Sequence, residues 1–94
     1  MSAPKLSNAY HYGRLIAIAE WALKLPPGRL VNNCLNAPGE LSSRFKHIVA
    51  VPHLNERATS AAAEMTDWPT HLTTAEQGDA LSGYHAERAS FRSV

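Results

Sequence analysis

Residues 8–25, NAYHYGRLIAIAEWALKL, constrain the fold of this chain more than any other stretch. Ala9, Tyr12, Leu15, Ile16, Ala19, Ala22 and Leu23 recur at spacings of three and four, which gathers them on one wide face of an α-helix. A face that wide packs against more than one neighbour. The stretch is therefore expected to be the central helix of an all-α domain. The opposite side carries a second stripe, Tyr10, Arg14, Ala17 and Trp21, at i, i+4, i+7 and i+11. A helix with two contact surfaces suggests a domain core on one side and a partner on the other.

Ser7 or Asn8 can cap this helix through a side-chain oxygen. Glu20 and Lys24 stand at i and i+4, as an exposed ion pair would. Pro26-Pro27-Gly28 is expected to end the helix, because proline clashes with the preceding turn. Residues 29–36 suggest a short helical segment with Leu30, Val31 and Cys34 inward. Pro38 suits the first turn of a third helix with Leu41, Phe45, Ile48 and Val49 as its apolar stripe, Arg44, Lys46 and His47 outward, and Pro52 as its end. Leu54, Ala58, Ala61, Ala62 and Met65 mark a fourth, alanine-rich helix, stopped at Asp67-Trp68-Pro69, with Trp68 plugging the bundle end.

Thr73-Thr74-Ala75-Glu76 has the pattern of a capping box. The helix it opens places Gln77, Ala80, Leu81, Tyr84, Arg88 and Phe91 on one side and the small residues Gly78, Ser82, Ala86 and Ala89 on another. Gly78 and Gly83 within a helix are each unfavourable by about 1 kcal/mol against alanine, a cost that close backbone approach would justify. The expected architecture is a compact bundle of four to five helices, a single domain over residues 7–92 behind a flexible arm at residues 1–6.

At 94 residues, 45% hydrophobic and 18% charged, the chain has the balance of an ordinary globular domain rather than a disordered one. Up to His47 there are six basic residues against two acidic, and from Ile48 onward three against six. That split would give a basic face if folding kept the halves apart. The lone Cys34 allows no internal disulfide, the N-terminus lacks the apolar run of a signal peptide, and no stretch reaches the length of a membrane span. A soluble cytoplasmic protein is expected.

Catalytic chemistry has little support. The five histidines are scattered over different elements with no zinc-type spacing, so no metal and no cofactor is expected. Cys34 with a distant histidine is a conceivable nucleophile pair, but a lone helical cysteine is more often a small buried hydrophobe. Binding is the better expectation, because arginine beside aromatic rings stacks on unpaired bases and neutralises phosphate. Tyr10, Arg14 and Trp21 have that arrangement, and Arg44 and Lys46 extend it. Against it stands an internal role, with Tyr10 and Trp21 filling the core and Arg14 pairing with an acidic residue of the last helix.

The two ends of the chain carry a resemblance. Asn8-Ala9-Tyr10-His11-Tyr12-Gly13-Arg14-Leu15 resembles the N-P-A-Y-x-L-G-R-L opening of the C-terminal helical domain of the type I-C CRISPR Cascade large subunit. Residues 72–78 followed by Gly83-Tyr84-His85-Ala86-Glu87-Arg88 resemble that family's L-S-x-E-E-Q-G-x-F-x-L-G-Y-Y-H-Q-R segment, with departures at Ala75, Ala80, His85, Ala86 and Glu87. In that family the domain is also made separately, as the Cascade small subunit. The resemblance implies a non-catalytic helical bundle that docks on the backbone and large subunits of a crRNA-containing complex and holds the displaced non-target single-stranded DNA of the R-loop. Guide pairing then supplies sequence specificity, and the subunit needs only charge and a docking surface.

On that basis Arg14, Lys24, Arg29, Arg44 and Lys46 are the expected phosphate contacts, and Tyr10, Trp21 and Arg88 the expected partner interface. Gly13 would serve helix packing, and Gln77 and Arg88 would link the first and last helices. The alternative is a helical protein–protein or self-association module without nucleic-acid binding. A helix-turn-helix regulator ranks last, because the third helix offers only Arg44 and Lys46 for recognition.

Overall fold

The computed structural model describes residues 7–91. It contains five helices in the order α1 (Asn8–Ala22), α2 (Val31–Asn36), α3 (Pro38–Val49), α4 (Pro52–Ala63) and α5 (Thr74–Phe91). The described residues include no strand, and the fold is the expected all-α bundle. The arm expected at residues 1–6 lies outside the described residues, as does residue 92.

α1 is the hub. It touches each of the other four helices. Tyr12, Leu15, Ile16, Ile18 and Ala19 are fully buried, and so are Ala9 and Ala17 to within 1%. Ser7 caps the helix, its hydroxyl accepting the Tyr10 N–H at 3.2 Å.

The helix ends at Ala22, three residues short of Leu25, and the prolines do not end it. The Leu25 N–H reaches back to the Glu20 carbonyl at 2.8 Å and the Lys24 N–H to Trp21 at 3.1 Å. This is the Schellman closure, with Lys24 at φ 57° in the left-handed position that usually belongs to glycine. A side chain there is unfavourable by about 1 kcal/mol. Lys24→Gly is accordingly expected to raise stability by roughly that amount, read as a higher urea midpoint at unchanged slope.

α2 begins at Val31, two residues later than expected, and buries Val31, Cys34 and Leu35. α3 starts on Pro38, with Glu40 in its first turn and Lys46 and His47 in its last, charges that complement the helix dipole. Its stripe is as expected, with Leu41 and Ile48 buried and Phe45 and Val49 half-buried. Pro52 does not close α3. That helix is already over at Val49, and Pro52 is the first residue of α4, held there by an extended Val51 (φ −86°, ψ 111°). α4 buries Leu54, Ala58 and Ala61.

Thr73 and Glu76 form the capping box of α5. The Thr73 hydroxyl accepts the Glu76 N–H at 3.2 Å, and the Glu76 carboxylate accepts the Thr73 N–H at 2.9 Å. Hydrogen bonding to its carboxylate from Thr73, the backbone N–H first and the side chain second, holds the Glu76 carboxyl below its ordinary value. The packed side of α5 is Ala80, Gly83, Tyr84 and Glu87. The expected small-residue side is solvent: Gly78, Ser82, Ala86 and Ala89 are exposed, as is Leu81. Close approach occurs at Gly83 and Gly13 instead. A Cβ on Gly83 would overlap the Tyr10 carbonyl, and one on Gly13 the Ala80 carbonyl, so each helix sets a glycine against the other's backbone.

Trp68 closes one end of the bundle, as expected. Its ring stands edge-on to Tyr12 at 5.7 Å and to Phe45 at 6.1 Å. The indole N–H donates to the Pro38 carbonyl at 3.3 Å, and the buried Tyr12 hydroxyl donates to the Cys34 carbonyl at 2.8 Å.

Candidate docking surface at Trp21

Two buried carboxylates organise the polar chemistry of the bundle, one on α5 and one on α1. Glu87 is 5% exposed and lies between two arginines, accepting from Arg14 Nε at 2.8 Å and from Arg57 Nη1 at 2.6 Å. Arg57 Nη1 also reaches Ser90 Oγ at 3.0 Å, and Arg14 Nη1 lies 3.0 Å from His11 Nδ1.

Glu20 is 3% exposed and does not pair with Lys24. The left-handed residue at 24 carries that lysine away from the i+4 position of a continuing helix. Glu20 accepts instead from the Leu30 N–H at 2.9 Å, the Gly28 N–H at 3.2 Å and the Tyr84 hydroxyl at 2.5 Å. Burial, reinforced by that bond, pushes the Tyr84 phenol up. Among the described residues no buried side-chain nitrogen or oxygen is left without a partner.

These networks decide where the expected phosphate contacts stand. Arg14 is committed to Glu87 and His11, which is the internal pairing with the last helix weighed in the sequence. Lys24, Arg29, Arg44 and Lys46 are exposed, and none of them forms an ion pair among the described residues. Lys24 and Arg29 bracket the Pro26-Pro27-Gly28 connection. Arg44 and Lys46 are about 200° apart around α3 at 3.6 residues per turn, so no single stripe of that helix carries both.

The expected interface residues separate in the same way. Tyr10 is half-buried beneath Gly83 and lies three turns from Trp21 along α1, about 16 Å at 1.5 Å per residue. Trp21 and Arg88 come together. Trp21 is 39% exposed, the more open of the two large hydrophobic side chains exposed among the described residues. Phe91 tilts against its ring at 4.2 Å, and His53 stands edge-on at 5.7 Å. Arg88 lies over the Tyr84 ring at 5.6 Å, and among the described residues neither its side chain nor that of Gln77 hydrogen-bonds to α1. The first and last helices are linked instead by Arg14–Glu87 and Glu20–Tyr84, not by Gln77 and Arg88 as expected.

Trp21 lines two adjoining hollows. One of about 250 Å³ is bounded by Trp21, Leu25, Pro27, Arg88 and Phe91. A second of about 440 Å³ is bounded by Trp21, Lys24, Val51, His53 and Leu54. A third, polar hollow of about 450 Å³ adjoins at His53 and contains Glu56 and the Arg14–Glu87–Arg57 cluster. Arg57, His53 and Glu87 escaped the sequence reading. Glu87 alone had a signal: Ala80, Gly83, Tyr84 and Glu87 fall at i, i+3, i+4 and i+7, one packed stripe.

Cys34 is wholly buried, and its thiol is pushed up to about 11, by burial first and then by Glu40. That keeps it protonated and inert at neutral pH. Among the described residues no three histidine, cysteine or acidic side chains converge on a metal-sized site. No described helix is long and apolar enough to cross a membrane. No family model, no curated protein sequence and no solved structure matches the chain.

Proposed function

We propose that this chain is a non-catalytic small subunit of a type I CRISPR crRNA-guided effector complex, working in the cytoplasm. It would dock on the backbone and large subunits and steady the displaced non-target strand of the R-loop. One observation carries this reading: the two segments with family-like motifs, 8–15 and 72–88, meet in space. Gly83 of the second segment abuts Tyr10 of the first, while Gly13 and Arg14 meet Ala80 and Glu87, two positions that depart from the family pattern. Those contacts pack the two segments against each other in one bundle, which is able to present a surface.

Lys24, Arg29, Arg44 and Lys46 would supply phosphate contacts one at a time, through charge and without reading sequence. Reversing both Arg44 and Lys46 to glutamate is expected to weaken R-loop formation by the reconstituted complex about tenfold at physiological salt. Both side chains are exposed, so the fold should be unaffected. Unchanged target binding would remove these residues from the DNA path. Purification of the tagged chain from its native cell without a guide RNA would overturn the assignment itself.

A protein–protein module without nucleic-acid binding is the second reading. It is favoured by the engagement of Arg14 with Glu87 and by the open ring of Trp21. It predicts no salt-dependent binding to single-stranded DNA.

A further inference from the structure

We infer that the Trp21 surface is a docking site for an acidic amphipathic segment of another protein, seated with one apolar side chain in each of the two hollows that Trp21 lines. The inference rests on the docking part of the proposed function and is independent of its CRISPR part. The hollows of about 250 and 440 Å³ share Trp21, Leu25 and Glu20 in their linings. The first has Phe91, Leu25 and Pro27 as apolar lining and the second Val51 and Leu54. Two apolar side chains at i and i+3 or i+4 of a helix would enter two such adjoining hollows, as in other helix-in-groove contacts.

Charge specifies the rest of the partner. Arg88 borders one hollow and Lys24 the other, and neither has an acidic partner among the described residues. The sole carboxylate lining either hollow is Glu20, which is buried and turned inward to Leu30, Gly28 and Tyr84. His53 borders the second hollow. Beyond His53 the polar hollow holds Glu56, while the charge of Glu87 there is already met by Arg14 and Arg57. A basic segment would meet Lys24 and Arg88. An acidic one would pair with both.

A single-stranded nucleic acid fits less well. Its bases need an open aromatic face, and Phe91 already lies against the Trp21 ring at 4.2 Å.

Selection from a random library of peptides of about 16 residues, roughly four helical turns, against the 94-residue chain tests this directly. The enriched peptides should carry two apolar residues three or four apart, flanked by aspartate or glutamate. Their affinity should fall about thirtyfold in Trp21→Ala, as for an interface anchor, and severalfold in Arg88→Glu, with a further loss in high salt. In two-dimensional NMR spectra the Trp21 indole N–H should shift on binding and that of Trp68 should not.

Several results overturn the inference: no enrichment, enrichment without acidic bias, or affinity that survives Trp21→Ala in a folded protein. A single-stranded oligonucleotide that binds the chain, and does so only with Trp21 present, would assign the surface to nucleic acid. Self-association lost in Trp21→Ala would assign it to a second copy. Acidic peptides bound at Trp21, together with no guide RNA on the purified chain, would leave this inference standing and the CRISPR assignment lost. The converse pair of results would do the reverse.

Discussion

Gly83→Ala is expected to destabilise the protein by about 3 kcal/mol or more, which for a domain this size lowers the melting temperature by roughly 15 °C. Propensity alone predicts the opposite sign, because alanine is about 1 kcal/mol better than glycine inside a helix. Packing wins, since the added methyl would land on the Tyr10 carbonyl of α1. Backbone cannot rotate aside as a flexible side chain does, so the α1–α5 crossing must open.

Gly78→Ala is the internal control. The position is in the same helix with nothing within 4 Å, and the same substitution should stabilise by up to about 1 kcal/mol. Gly13→Ala strikes the same crossing from the other side, against Ala80. Combined with Gly83→Ala it should cost less than the sum, because helices already forced apart need not separate twice. Urea denaturation of the four variants reads all of this, and equal effects at Gly78 and Gly83 would refute the crossing geometry.

Glu20→Ala should cost about 3 kcal/mol, an unusually large loss for removing one carboxylate. The cause is what the carboxylate leaves behind. The Leu30 N–H, on a residue 5% exposed, loses its acceptor at 2.9 Å, and the Tyr84 hydroxyl loses its own at 2.5 Å. Gly28 is exposed and keeps the Tyr84 oxygen at 2.8 Å, so its amide contributes little. Tyr84→Phe removes the bond to Glu20 and the one accepted from the exposed Gly28 amide, but leaves the carboxylate on both amides, for an expected loss of about 1 kcal/mol. Amide hydrogen exchange separates the two variants: Leu30 should lose protection in Glu20→Ala and keep it in Tyr84→Phe. A Glu20→Ala protein as stable as the parent would mean that water reaches the site and replaces the carboxylate.

Features whose causes are local were legible in the sequence. Ser7, Pro38 and the Thr73–Glu76 box act within one turn, and each starts or caps a helix as its chemistry requires. The apolar period of residues 8–25 was enough to identify the hub. Its C-terminal end was not legible, because nothing in the type of residue announces a lysine in the left-handed conformation. Pro52 reads equally well as a stop or a start, and only the placement of Val51 decides between them.

Glu20 and Glu87 mark the deeper limit. A glutamate four residues before a lysine resembles a surface pair, yet the partners of Glu20 are Leu30, ten residues on, and Tyr84, sixty-four on. The same distance in sequence hid the candidate site. Trp21 was visible as part of a second stripe, but Arg88, Phe91, Val51 and His53 join it only when α4 and α5 fold back on α1. Arg44 and Lys46 looked like neighbours in the sequence because they are two residues apart, and that spacing is what sends them to opposite flanks of a helix.

The placement of α1 at the hub also sets the order in which the protein can be completed. A ribosome delivers the hub first and its main cover last, since the Arg14–Glu87 contact spans 73 residues and the Glu20–Tyr84 contact 64. Until the final helix emerges, the nascent chain carries an apolar rod with glycine notches and no lid. Early helices can shelter only part of it. The finished molecule therefore depends on late, long-range closure, the step most exposed to misassociation during synthesis.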